Sequence, residues 1–74
     1  MEGFRSTLRV GTHHFACDIF PEEPLTPGGH AVHCAVSFVD PEQALPRFPA
    51  GTMFELWEGG RKGYGMVLAV TATR

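Results

Sequence analysis

Two short runs, His13-His14-Phe15-Ala16-Cys17 and His30-Ala31-Val32-His33-Cys34, hold all the histidines and cysteines of the chain. Imidazole and thiolate are the donors that zinc prefers in a tetrahedral shell, and two neighbouring strands could bring both runs together. One reading is therefore a small zinc-binding protein. Two features oppose it. In an extended chain, consecutive side chains point to opposite faces, so His33 and Cys34 do not readily serve one cation, and no Cys-x-x-Cys pair is present. Cys17 and Cys34 each fall on the apolar row of their segment, which predicts two small buried hydrophobes. Burial also opposes the exposed, activated thiolate that a cysteine–histidine nucleophile needs. Among the acids, Glu22 and Glu23 lie in a turn-rich stretch, Asp18 is expected to face solvent, and nothing sets two carboxylates across a cleft. The expectation is a noncatalytic protein without catalytic residues, metal ligands or cofactor.

The elements that would position these groups read as strands. Phe4–Val10 places Phe4, Ser6, Leu8 and Val10 on one side and Arg5, Thr7 and Arg9 on the other, the period of two of a half-buried strand. Gly11-Thr12 turns or bulges the chain into a second strand over His13–Phe20. There Phe15, Cys17 and Ile19 share a face opposite His14, Ala16, Asp18 and Phe20. The prolines and glycines between Pro21 and Gly29 exclude a continuous element, with Leu25 expected to anchor the loop to the core. A third strand is predicted over His30–Val39, with Val32, Cys34, Val36 and Phe38 in one row. Pro41–Leu45 suits a single helical turn, with Asp40 as cap and Pro41 at the first helical position. Strands return over Thr52–Trp57 and Tyr64–Ala72.

Between those last strands lies Glu58-Gly59-Gly60-Arg61-Lys62-Gly63-Tyr64-Gly65. A phosphate loop would need a helix and a Lys-Ser or Lys-Thr step after its glycines, and a dinucleotide loop would also need a following helix. Both are missing. Consecutive glycines do supply the positive φ of a hairpin turn, so Gly59-Gly60 is predicted to reverse the chain. Gly63 and Gly65 then permit coiling or close approach within the return strand.

Taken together, Pro27 and Gly28, then Gly51, Phe54, Leu56, Glu58, Gly59, Gly60, Arg61, Gly63, Gly65 and Val67 resemble the second half of the C-terminal β-barrel domain of translation elongation factor Tu. Ser6–Val10 would correspond to that barrel's first strand. The resemblance implies an all-β fold, a small antiparallel barrel of about five or six strands, and a binding scaffold. In that factor the barrel contacts the G domain, the aminoacyl-tRNA and the exchange factor. GTP hydrolysis is not implied, because no Walker A loop occurs in the sequence.

Totals bound the rest. The chain of 74 residues is expected to be one domain, 1–74. Its apolar share of 43% supplies a core, while six basic against eight acidic residues give a net charge of −2, unlike a general nucleic-acid binder. No presequence or membrane-length apolar run is recognised, and cytoplasmic localisation with reduced thiols is expected. The leading functional expectation is contact with another protein, or self-association, through Trp57, Tyr64, Arg61 and Lys62. The alternative is RNA binding, with Arg5, Arg9, Arg61 and Lys62 on phosphates. Calorimetric titration with magnesium and GTP should give no saturable heat. Micromolar binding lost on altering the Gly59–Gly65 segment would overturn the assignment of those glycines to a turn.

Overall fold

Alternation in the first two segments gives each an apolar and a polar row, and a two-residue turn with Gly11 at φ 61° folds one onto the other. The computed structural model describes residues 3–26 and 28–71. In it β1 (Phe4–Val10) and β2 (His13–Pro21) pair antiparallel from Phe4↔Ile19 to Val10↔His13. β3 (Cys34–Phe38) continues on the far side of β2, while β4 (Met53–Trp57) lies on the other side of β1 and β5 (Arg61–Met66) beyond it. The strand order β3-β2-β1-β4-β5 contains a Greek key, because the fourth strand returns by a long connection to lie beside the first.

That connection supplies the cover of the core. Asp40 accepts a hydrogen bond from the Gln43 N–H at 3.4 Å and opens the one-turn helix α1 (Pro41–Ala44), followed by a 3-10 turn over Leu45–Arg47. The helical turn and its cap follow the sequence expectation. Ala44 and Phe48 from this crossover are buried with Leu8, Cys17 and Ile19 of the sheet. The Phe48 ring lies 5.6 Å from Phe15, 4.7 Å from Phe38 and 6.3 Å from Phe54, centroid to centroid. One ring thus meets aromatic side chains from β2, β3 and β4.

Several expectations need correction. The expected barrel is not formed: β3 and β5 stand at opposite edges, and the sheet is open. Its apolar face is closed over by the crossover, so the sheet does not need to roll onto itself. β3 is shorter than His30–Val39, although the Glu22 N–H still donates to the His33 carbonyl at 2.9 Å. Cys17 is fully buried, but Cys34 is exposed. Phe48 covers the Phe38 end of the edge strand, while Cys34 occupies the other end. Leu25 is exposed instead of anchoring its loop, and the Pro27 turn position lies outside the described residues. The final strand ends at Met66. Beyond it, Val67 donates to the Thr52 carbonyl and accepts from Gly51 N–H, at 2.9 and 2.7 Å. Position Ala72 also lies outside the described residues.

The β4–β5 hairpin turns where expected, through Glu58-Gly59-Gly60, with Gly59 at φ 73° and Gly60 at φ 153°. The connection holds three residues between the paired Trp57 and Arg61, and Leu56 pairs with Gly63, so Lys62 is the extra residue of a β-bulge. Further along, Gly63 and Gly65 face the core. A Cβ on Gly65 would stand 2.6 Å from Phe54 Cζ, whereas one on Gly63 would meet Leu56 at an ordinary 3.8 Å. The close approach permitted at Gly65 is that of an aromatic ring. Gly65→Ala should therefore destabilise the fold by about 1–3 kcal/mol through overpacking, and Gly63→Ala by much less. Equal losses of both variants in urea unfolding would contradict this packing.

Candidate functional site

The face opposite the core carries nearly all the charge pairing. Alternation sends Arg5, Thr7 and Arg9 outward from β1, beside His14, Ala16 and Asp18 of β2, and register then decides the partners. Arg5 stands across from Asp18 and donates to its two carboxylate oxygens at 2.7 and 3.3 Å. This hydrogen-bonded pairing lowers the Asp18 pKa and raises that of Arg5. Arg9 lies between His14 and Glu55 and donates to Glu55 at 2.7 Å. Its guanidinium carbon is 4.7 Å from the centre of the Trp57 ring, a cation–π distance, and His14 meets the same indole edge-on at 5.3 Å. Arg61 approaches Glu55 from β5 at 3.6 Å.

The hairpin is also tied to β1 from its turn. The buried Ser6 hydroxyl donates to Glu58 at 2.5 Å. A shallow depression lined by Arg5, Ser6, Thr7, Ala16, Trp57, Glu58 and Gly59 opens beside this contact. Of its walls, Arg5, Ser6, Trp57 and Glu58 are already engaged in these pairings.

The four residues expected to make contacts sit on one hairpin but in different settings. Trp57 is half-buried behind Arg9 and His14, and Arg61 is held by Glu55. Lys62 projects from the bulge and makes no ion pair among the described residues. Tyr64 is 78% exposed. Next to them stand two residues that the sequence reading does not single out. Met66 pairs with Met53 across β4, and they are 49% and 59% exposed. With Gly63 and Gly65 turned to the core, the large apolar residues of β5 face outward. The signal was present in the sequence, since glycine and large residues alternate strictly over Gly63–Met66.

The histidine and cysteine runs do not converge. His13 stacks at 6.3 Å on Phe15, His14 meets Trp57 edge-on, and His30 approaches Glu23 at 3.0 Å in the β2–β3 loop. Among the described residues, no three histidine, cysteine or acidic side chains gather in a geometry able to hold a metal ion. Nor is any helix among them long and apolar enough to cross a membrane.

No protein-family model matches the chain, no curated protein matches it, and no solved structure matches it. Together with the open sheet, this overturns the resemblance to the elongation factor Tu barrel. The Glu-Gly-Gly-Arg run that suggested it is what a glycine hairpin requires in any antiparallel pair.

The two thiols should behave differently. Burial, then the neighbouring Asp18 charge, pushes Cys17 up to about 11. Partial burial and Glu22 also raise Cys34, but its side chain remains accessible. A disulfide reagent near neutral pH should modify Cys34 in the folded protein and Cys17 only after unfolding. Because the folded state keeps the Cys17 proton longer than the unfolded chain, stability should fall as pH rises from 9 towards 11. Cys17→Ala should reduce that fall and leave the part due to Cys34. Rapid native labelling of both thiols, or an unchanged alkaline decline in the variant, would contradict it.

Proposed function

We propose that this is a noncatalytic protein-contact domain whose contact surface is the outer side of the β4–β5 hairpin. The observation that carries the proposal is the orientation of β5, which spends its core-facing positions on Gly63 and Gly65 and leaves Tyr64 and Met66 in solvent. Met53 extends this apolar strip onto β4, and the exposed Leu68 and Val70 follow it along the chain. A small domain with a scarce core would gain stability by burying such residues inside. Keeping them outside on an edge strand suits a surface that another protein covers. Tyr64 supplies an aromatic anchor, with Arg61 and Lys62 as a polar rim.

RNA binding has less support. Phosphate contacts gain from cations that can release counterions, and Arg5, Arg9 and Arg61 already face carboxylates at 2.7, 2.7 and 3.6 Å. The net charge of −2 adds no long-range attraction. We place the domain in the cytoplasm, where both of its free thiols would stay reduced.

A photo-cross-linking amino acid at position 64, with position 42 as a control on α1, tests the reading in the native cell. A discrete protein adduct from position 64 alone is the expected result, and an adduct between two copies would make the contact a self-association. Adducts of equal yield from both positions, or RNA captured from position 64, would overturn it. In parallel, structured RNA titrated at two salt concentrations should bind weakly, with little effect of Lys62→Ala.

A further inference from the structure

Resting on that contact reading, we propose that β5 binds its partner by strand addition. The partner would be an extended segment of another protein with alternating apolar residues followed by an acidic residue. As the edge of the sheet beyond β4, β5 has one side of its backbone unpaired among the described residues. In an antiparallel pair, every second residue directs its N–H and C=O to that free side. Edge strands are commonly protected by bulges, prolines or lysines. Here the bulge and Lys62 guard only the beginning of the strand, and Gly63–Met66 pairs regularly with β4 without proline or charge. The opposite edge differs in chemistry. β3 offers the small outward residues Ala35 and Ser37, and the segments flanking it hold Glu22, Glu23, Asp40 and Glu42.

Charge decides the occupant. Arg61 and Lys62 lie at the start of β5, which contains no acidic residue, and Tyr64 and Met66 follow on the outer face. A second β5 added antiparallel would set apolar residues against the basic end and bring no carboxylate to it. An incoming antiparallel segment that reads apolar, any residue, aromatic, any residue, acidic would set its apolar residues beside Met66 and Tyr64 and its acid beside Lys62. Backbone hydrogen bonds would supply affinity, and the alternate side chains would select the sequence.

The probe is a fluorescein-labelled peptide, Thr-Val-Thr-Phe-Thr-Glu-Glu, titrated against the full chain by anisotropy to about 1 mM, where binding is worth about 4 kcal/mol. Saturable binding is expected, weakened roughly tenfold by Lys62→Glu as a charge pair becomes a repulsion. A peptide with lysines replacing the two glutamates should reverse that preference and bind the variant better than the unaltered chain. Circular dichroism of Lys62→Glu separates lost binding from lost folding. The β5 amides that exchange fast in the free protein should slow in the complex. No saturation, affinity indifferent to the charge exchange, or protection appearing on β3 would each overturn the proposal. A protein adduct at position 64 without peptide binding would retain the contact surface and eliminate strand addition; loss of both would eliminate both.

Discussion

Phe48 sits in the crossover between β3 and β4, and its ring meets Phe15, Phe38 and Phe54 from three strands. Without this cluster, one whole face of the sheet would expose its apolar row. Drawing Phe54 into the cluster carries its ring over β5, where Gly65 leaves the space that any Cβ would occupy. The consequence propagates along the strand. Its core-facing positions become glycines, and its large residues are left for the opposite face. The proposed contact surface is in this sense a by-product of how the core is closed.

The opposite face is organised by pairing. Arg9 joins Glu55, Trp57 and His14 across three adjacent strands, and Arg5 is matched to Asp18. Exposed ion pairs contribute little stability individually. Here they hold Arg5 and Arg9 against carboxylates and cover part of Trp57. Among the described residues, the strip around Tyr64 and Met66 takes no part in this pairing.

Local pattern was legible wherever it depended on neighbours in sequence. The alternation of Phe4–Val10 and His13–Phe20, the Asp40-Pro41 helix start and the glycine turn at 59–60 each follow from residues within one turn or one strand. Sheet closure was not legible, because it depends on what covers the apolar face, and Phe48 looked like an ordinary loop residue between two prolines. The fate of Cys34 depended on which strands become edges. Ser6 and Glu58, 52 positions apart, meet only because β4 returns beside β1. The candidate surface was half legible: Tyr64, Arg61 and Lys62 stand on it, whereas Trp57 is largely shielded, and Met53 and Met66 were missed. The strict glycine alternation of β5 was read as a backbone device, when its consequence is to invert the strand's faces.

The central claim is that inversion, and the proton spectrum of the free protein tests it most directly. If Phe54 lies over Gly65, one Gly65 Hα should be shifted strongly upfield by the ring current and show nuclear Overhauser contacts to the Phe54 ring protons. Tyr64 ring protons should then show no contacts to the methyl groups of Leu8, Ile19 or Val67. A Gly65 Hα at an ordinary shift, with Tyr64 in contact with those methyl groups, would mean that β5 faces the other way and that the outward apolar strip does not exist.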